Sequence, residues 1–278
     1  MKIKNIAALL GVAVLAGGLI SSASAGVVTV KGSDTMVILA QKWAEEFMKT
    51  NPGITIQVTG GGSGTGAAAL VNGTTDIANM SREMSPKEKG QIRSRANRGV
   101  SEFKMAKDGL SVYVHPSNKV PHLTFDHLKG IYTGRISNWK DVGGANLPIT
   151  RYSRENNSGT YVFFKQFVLG GSDYHVSCQN LPGTASVVNA VARDPGGIGY
   201  GGLAYTKGVR DVAIKKTANS PAVEPSFETV KNGTYPIWRP LYMYTIGIPR
   251  GEAKKFIDWC LSPAGQALVK DVGYIPIK

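Results

Sequence analysis

The sequence predicts an α/β protein whose two lobes enclose a ligand cleft. Apolar segments of strand length alternate with segments of helical periodicity over residues 26–115, and the same order restarts after residue 116. A glycine-rich turn carrying Ser-Gly-Thr follows a predicted strand in each half, at residues 60–66 and 154–160. Because ligands of open α/β sheets bind at the carboxyl ends of strands, we expect both turns to face one cleft.

Strands and helices alternate in the first half. Met36, Leu39 and Trp43 recur at helical spacing, and Asn51-Pro52-Gly53 ends that helix. A capping box at residues 85–88, with proline at the first helical position, begins another helix. This order predicts a mostly parallel sheet with helices on both faces. The predicted strands are 27–30, 54–58, 75–80 and 110–115, and a short helix follows the turn at 60–66.

The second half repeats this pattern of strands, turns and helices. Glycine or proline interrupts the chain between the periodic segments, as turns require. The predicted helices are 125–132, one from the turn at 154–160 through Val168, 185–191, and 254–260, which resumes after Ser262-Pro263; the predicted strands are 149–152, 198–200 and 240–248.

The N-terminus has the pattern of a secretory signal peptide. Lys2 and Lys4 precede an apolar run at residues 6–20, and Ala23-Ser24-Ala25 fits the small-residue cleavage rule. A membrane anchor is the alternative, but the run is shorter than the ~20 residues that a span needs. We therefore predict a signal peptide at residues 1–25, cleaved after Ala25, and an exported soluble protein. No cysteine lies at the cleavage point, so no lipid anchor is predicted there.

The charge of the chain favours an anionic partner. Its formal net charge is +13, which creates a field that attracts anions. Nucleic acid is the usual alternative for a basic protein, but no helix-turn-helix, zinc-finger or RNP-like pattern is present, so no nucleic-acid partner is predicted. Five basic residues at 87–98 are predicted to share one helix. They form either a solvated face or a contact for an acidic partner.

The chain has two cysteines, Cys178 and Cys260. In an oxidising compartment such a pair forms one disulfide, or both thiols stay unpaired in the interior. The sequence leaves both possibilities open, because the geometry of the fold decides between them.

Three turns have the chemistry of an oxyanion site. Hydroxyl groups and unpaired backbone N–H groups at helix starts bind oxyanions, and residues 32–35, 60–66 and 154–160 all combine them. Arg154 precedes Ser158-Gly159-Thr160, where its guanidinium can make bidentate contacts with an oxyanion. Arg82 follows a predicted strand and is either a ligand or an ordinary surface arginine. The turn at 60–66 is neither a Walker A loop nor a dinucleotide fingerprint.

Catalytic and metal sites are not predicted. The histidines His115, His122, His127 and His175 stand alone, without the spacing of metal ligands or of a nucleophile with its base. A binding protein is therefore favoured over the alternative of an exported phosphatase, and no cofactor is expected.

Several longer strings resemble one known family over essentially the whole mature chain. They are VKGSDTM at 30–36, GGGSGTGAAALVNGTTDIANMSR at 60–82, LTFDHLKGIYTGRISNW at 123–139 and SRENNSGTYVFF at 153–164. On these strings the chain resembles periplasmic phosphate-binding proteins, the solute receptors of phosphate ABC transporters. The resemblance implies capture of inorganic phosphate, delivery to permease subunits, a periplasmic location and a monomer.

The same resemblance implies a fold and a ligand set. The fold is a two-lobed periplasmic-binding-protein fold of type II-like topology, with two mostly parallel sheets joined by crossover strands at 110–116 and 239–245. Lobe 1 would comprise residues 26–115 plus 243–278, and lobe 2 residues 116–242. The implied phosphate ligands are Ser33, Asp34, Thr35, Ser63, Ser81 and Arg82 from lobe 1, and Arg154, Ser158, Gly159 and Thr160 from lobe 2.

Two positions depart from the family pattern. Well-known members have an aspartate where this chain has Ser81, and that carboxylate accepts the proton of phosphate and thereby rejects sulfate. Asp34 either supplies the missing acceptor or caps its helix. Asn156 stands where an acid can hold the ligand arginine, a role that Glu155 could take. Receptors for sulfate or molybdate-like anions therefore remain an alternative.

Overall fold

The computed structural model describes residues 26–277, so the predicted signal peptide lies outside the described residues. Within this range, three short 3-10 helices accompany the strands and α-helices. The strands are β1 (Gly26–Gly32), β2 (Ile54–Thr59), β3 (Ile77–Met80), β4 (Val100–Val114), β5 (His122–Thr124), β6 (Thr150–Arg154), β7 (Gln179–Leu181), β8 (Gly197–Gly202), β9 (Arg210–Asp211), β10 (Ala213–Lys215) and β11 (Trp238–Ile246). The helices are α1 (Val37–Thr50), α2 (Ser63–Asn72), α3 (Pro86–Ala96), α4 (Phe125–Tyr132), α5 (Gly159–Phe167), α6 (Gly183–Val191), α7 (Phe227–Lys231), α8 (Gly251–Cys260) and α9 (Pro263–Val272).

The strands form one long curled sheet with a parallel region at each end. Its order is β2-β1-β3-β11-β4-β8-β6-β7, with β9 beside β4, and β5 pairs with β10 separately. β1 is parallel to β2 and β3, and β6 is parallel to β7 and β8. β4 and β11 are antiparallel to each other and join the two regions. The predicted α/β fold with crossing strands is confirmed, but the two predicted sheets are the two ends of one sheet, because β11 pairs with β3 and β4 pairs with β8.

Each parallel region is packed against its own hydrophobic core. Trp43 and Phe47 belong to the core of the first lobe, whereas Trp139 and Phe164 belong to the core of the second. Strand β4 contributes to both, because Ala106 lies in the first core and residues 110–114 lie in or against the second. The crossing strand therefore links two independently buried cores.

Strand β4 is much longer than the sequence predicted. It begins at Val100, ten residues before the predicted strand at 110–115. Its first part has charged residues at Glu102, Lys104 and Lys107, which obscured the strand pattern. Pairing with β11 over residues 100–109 holds this part extended.

Helix α3 begins at the predicted capping box and ends before the last basic residue. Ser85 accepts a hydrogen bond from the Glu88 backbone N–H, and the Glu88 side chain accepts from the Ser85 N–H. Asn97, at φ 51°, ends the helix in a left-handed conformation. The prediction that all five basic residues share one helix is therefore wrong for Arg98.

The two cysteines are unpaired. Cys178 packs against the core of the second lobe, and Cys260 is fully buried in the core of the first. Burial raises the pKa of the Cys178 thiol to about 11 and also raises the pKa of Cys260. Of the two possibilities left open by the sequence, the structure has free thiols, and the possible disulfide is absent because the residues lie in separate cores.

No α-helix within residues 26–277 is both long enough and apolar enough to cross a membrane.

Candidate anion-binding site

Three helix starts from the two lobes converge. A 3-10 helix at Asp34–Met36 follows β1, α2 follows β2, and α5 follows β6. Gly159 begins α5 and lies against Ser63, which begins α2: a Cβ added to Gly159 would lie 2.2 Å from Ser63 Oγ and 2.7 Å from Ser81 Oγ. The N-terminal end of a helix in one lobe therefore faces the N-terminal end of a helix in the other.

The loops that precede these helices also touch across the cleft. The Gly64 N–H donates to the Asn157 carbonyl at 2.8 Å, and Asn157 Nδ2 donates to the Gly61 carbonyl and to Thr65 Oγ1, both at 3.1 Å. A side chain at Gly62 would overlap the Asn157 carbonyl, which lies 2.8 Å from the Cβ position. The structure thus has a closed cleft, and glycines permit the close approach.

The predicted hydroxyl ligands are buried together. Ser33, Thr35, Ser63, Ser81, Ser158 and Thr160 are all at most 2% exposed. Ser63 Oγ accepts from the Ser81 N–H at 3.0 Å, and Ser158 Oγ caps α5 by accepting from the Thr160 N–H at 3.2 Å. Ser33 Oγ has no hydrogen-bond partner among the described residues. Buried hydroxyls normally have partners, so this atom is available to a ligand.

Arg154 is a buried cation beside these hydroxyls, and its guanidinium is held from three sides. Its Nη2 donates to Asp34 Oδ2 at 2.7 Å, its Nη1 to Thr184 Oγ1 at 3.0 Å and its Nε to Glu155 Oε2 at 3.2 Å. A guanidinium has five N–H groups, so these contacts leave one N–H on each terminal nitrogen. Two donors on a buried, fixed cation suit bidentate recognition of an oxyanion.

Asp34 supports Arg154 and is not the N-cap of its helix. Ser33 occupies the N-cap position, so that alternative for Asp34 is wrong. The carboxylate instead accepts from the Gly61 N–H at 2.8 Å and from Arg154. Glu155 also contacts Arg154, which supports the hypothesis that it replaces the acid missing at Asn156.

Arg82 is not brought into this cluster by any of its hydrogen bonds. Its Nη1 and Nη2 donate to the two carboxylate oxygens of Glu88 at 2.8 and 2.7 Å, and Nη1 also donates to the Glu83 carbonyl. The prediction of Arg82 as a phosphate ligand is not supported, because Glu88, the acidic residue of the capping box of α3, binds its guanidinium.

Sequence reasoning missed three buried polar residues beside the site. Arg239 on β11 is paired in register with Asp108 on β4, and its Nη2 donates to Asp108 Oδ2 and Thr160 Oγ1, both at 2.9 Å. Thr184, at the start of α6, contacts Arg154. A charged residue inside an otherwise apolar crossing strand is the one signal that could have identified Arg239.

Metal ligation is not indicated by the geometry. Within residues 26–277, no group of three or more His, Cys, Asp or Glu side chains could hold a metal ion. The donors that converge here are hydroxyls, N–H groups and a guanidinium, which bind anions.

Comparisons with known proteins agree with this chemistry. A family model described as the PBP superfamily domain matches residues 20–264. The chain is 33% identical over 263 residues to the phosphate-binding protein PstS of Pseudomonas aeruginosa, with 88% of this chain and 81% of that protein covered. It is 34% identical over 257 residues to PstS of Bacillus subtilis, with 91% and 82% covered. The fold is similar to that of a Clostridium perfringens structure described as a phosphate ABC transporter substrate-binding protein with bound phosphate. The TM-score is 0.83 and the sequence identity 30%, with 91% of this chain and 100% of that chain covered.

Proposed function

The chain belongs to the PstS family of phosphate-binding proteins within the PBP superfamily, and from that membership we propose that it captures inorganic phosphate and delivers it to an ABC transporter. The family is one of solute receptors, not of enzymes. In this chain, phosphate would bind in the closed cleft between the lobes and be released to permease subunits at the membrane.

One observation carries the proposal: a buried arginine with unused donors is hydrogen-bonded to Asp34 of the first helix start and directly precedes the loop into α5, and the hydroxyls of the three converging helix starts are buried. Arg154 is 1% exposed. Ser33 Oγ, in the turn at residues 32–35, has no hydrogen-bond partner among residues 26–277. Charge-assisted hydrogen bonds in a water-excluded site are stronger than their counterparts in solution. These donors would pair with the oxygens of phosphate without any nucleophile or metal.

The proposed ligands divide between the lobes. Ser33, Thr35, Ser63 and Ser81 would donate from the first lobe. Arg154, Ser158, Gly159 and Thr160 would donate from the second, with the helix start of α5 adding its partial positive charge. Asp34 would act on phosphate indirectly, by holding Arg154.

Localisation and lobe boundaries belong to the same proposal. We propose export to the periplasm, cleavage after Ala25 and a monomeric state; the signal-like N-terminus and the relatives support export. The proposed lobes are residues 26–115 plus 243–278 and residues 116–242. The two separate hydrophobic cores support a division into two lobes, and β4 is shared between them, because Leu110, Val112 and Val114 lie in the second core.

Calorimetric titration of phosphate-stripped protein lacking residues 1–25 tests the function. We expect micromolar or tighter phosphate binding at neutral pH, and a loss of about 100-fold or more in Arg154→Gln, because a buried charge-assisted contact disappears. Arg135→Gln is the matched control, since Arg135 forms an exposed ion pair with Asp126. Absence of phosphate binding by the wild type would refute the proposal.

A second candidate ligand is another tetrahedral oxyanion such as sulfate. The observation behind it is that Ser81 replaces a carboxylate, while the Asp34 carboxylate already accepts bonds from Arg154 and Gly61. The same titration with sulfate separates the two: equal affinities would make the protein a general oxyanion receptor.

A further inference from the structure

A buried ion pair lies directly behind the proposed phosphate ligands. Arg239 and Asp108 face each other on the crossing strands β11 and β4 and are at most 1% exposed. Arg239 Nε and Nη2 both donate to Asp108 Oδ2, at 3.1 and 2.9 Å. The guanidinium carbon lies 5.3 Å from the centre of the Phe163 ring, which restricts its plane. The pair is therefore a rigid group.

The same guanidinium contacts one hydroxyl from each lobe. Arg239 Nη2 donates to Thr160 Oγ1 at 2.9 Å and approaches Thr35 Oγ1 at 3.4 Å. The two threonine oxygens lie 3.0 Å apart, within hydrogen-bond distance of each other. Thr35 belongs to the loop at residues 32–35 of the first lobe, and Thr160 belongs to the N-terminal turn of α5 in the second lobe. Arg239 therefore contacts the point where the lobes meet.

Counting protons shows what this contact does. Two hydroxyls have two protons, and one of them is shared between Thr35 and Thr160 whichever residue donates. Arg239 occupies a lone pair on Thr160, because a guanidinium can only donate. One hydroxyl proton therefore remains, and it has to be donated away from Arg239. In either arrangement the threonine pair therefore keeps one donor that is directed away from Arg239.

We propose that Arg239, held by Asp108, is a positioning residue of the anion site: it orients the Thr35–Thr160 hydroxyl pair as a donor toward the bound anion. This inference rests on the proposed function, because it assumes that the pair faces the ligand. Without Arg239, the pair could equally turn lone pairs toward the cleft, where they would repel an oxyanion. Arg239 also favours the closed state, since the hydroxyl pair exists only when both lobes meet.

A double-mutant cycle tests this role. Removing Arg239 alone would leave Asp108 buried without its partner and could unfold the protein. The Asp108→Asn/Arg239→Gln variant removes both charges and leaves a hydrogen-bonding amide at each position. We expect it to lower phosphate affinity about 10-fold, the effect of losing one well-oriented hydrogen bond to a charged group. The second arm of the cycle is Thr160→Val, which removes the hydroxyl at nearly constant volume.

The coupling between the two changes decides the outcome. If Arg239 acts through the hydroxyl pair, the charge-removing substitutions will lower affinity less than about 3-fold in the Thr160→Val background, because contacts that share one network are not additive. An equal loss in both backgrounds would show that Arg239 acts directly on the anion, and no loss in either would show a purely structural role; both results overturn the inference. Urea unfolding of each variant verifies folding.

The wild-type titration reports separately on the proposed function. If the wild type binds phosphate and the effects of the two changes on affinity are additive, the proposed role of Arg239 is refuted and the proposed function stands. If the wild type binds sulfate instead of phosphate, the proposed function fails and the cycle is run with sulfate, with the same expected coupling.

Discussion

Arg154 and Asp34 form an ion pair that joins the two lobes, with Nη2 and Oδ2 2.7 Å apart and the residues 120 positions apart in sequence. Arg154 is buried, whereas the Asp34 side chain is 18% exposed. Because one partner comes from each lobe, the pair forms only when the cleft closes. Closure of the lobes therefore also fixes the orientation of Arg154, the proposed cationic ligand.

Replacing the carboxylate of Asp34 should weaken phosphate binding by about 10-fold. Asp34→Asn can still accept the Gly61 N–H but no longer holds Arg154 with a charge, which amounts to one charge-assisted bond. Calorimetry measures the affinity, and stopped-flow fluorescence should show the loss mainly as faster phosphate release. Glu155→Gln is the control: its contact to Arg154 is longer, at 3.2 Å, and the side chain is 32% exposed, so we expect less than about a 3-fold change. Equal losses in both variants would contradict this role of Asp34.

A methyl group at Gly159 should prevent closure. In Gly159→Ala the new Cβ would overlap Ser63 Oγ and Ser81 Oγ of the opposite lobe. We expect phosphate affinity to fall about 100-fold or more, because misplaced ligands lose several hydrogen bonds together. Small-angle scattering should show a more open protein in the presence of phosphate.

Gly90→Ala provides the matched control for that substitution. Gly90 lies in α3 with no atom within 4 Å of its Cβ position, so alanine there should leave binding unchanged. An affinity of Gly159→Ala within a few fold of the wild type would contradict the close contact between the helix starts.

A carboxylate at Ser81 should restore discrimination against sulfate. Ser81→Asp would offer an acceptor to the proton of phosphate, whereas fully deprotonated sulfate would meet a like charge. We expect the phosphate-to-sulfate affinity ratio to rise about 100-fold, since like charges at contact cost several kcal/mol. Ser81→Ala, which adds neither acceptor nor charge, should leave the ratio unchanged. The prediction is wrong if both variants have the wild-type ratio.

Local sequence signals predicted much of the fold and many of the site residues. The bounds of α4 agree with the prediction because Thr124 caps the helix and its apolar residues have helical spacing. The cluster at residues 158–160 was predicted because a capping serine and a glycine begin a helix directly after a strand. The residues that form such a signal lie close together in the chain, so the signal can be recognised from the sequence alone.

Pairings between distant residues could not be predicted in this way. Arg239 and Asp108 are 131 residues apart, and only the register of β4 with β11 brings them together. The capping function of Glu88 was predicted, but its second role, binding Arg82, depends on how β3 approaches α3. Long-range geometry therefore distinguishes Arg154, which lies at the candidate site, from Arg82, which is paired with Glu88.

The carboxyl group of Asp211 should make stability depend on pH between about 4 and 6. Burial raises its pKa to about 6, helped by Glu224 and opposed by the Ser111 hydroxyl and Arg210. A carboxyl whose pKa is higher in the folded than in the unfolded protein stabilises the fold fully below the unfolded pKa of about 4, and this contribution is lost as the pH rises through about 6. At neutral pH the folded protein therefore carries a partly buried charge that costs free energy.

Asp211→Asn should remove that cost, because the amide oxygen can still accept from Ser111 without carrying a charge. We expect the variant to match the wild type near pH 4 and to exceed its free energy of unfolding by roughly 1–3 kcal/mol at neutral pH, as two pKa units imply. Urea unfolding across this pH range measures the difference in free energy of unfolding between the variant and the wild type. Groups that titrate in both proteins contribute equally, so their effects cancel in this difference. Asp173→Asn is the control: the ion pair with Lys165 lowers the pKa of the exposed Asp173, so any pH dependence from this group has the opposite sign, with stability falling as the pH decreases toward about 4. A difference between Asp211→Asn and the wild type that stays constant over the range would show that burial does not raise this pKa.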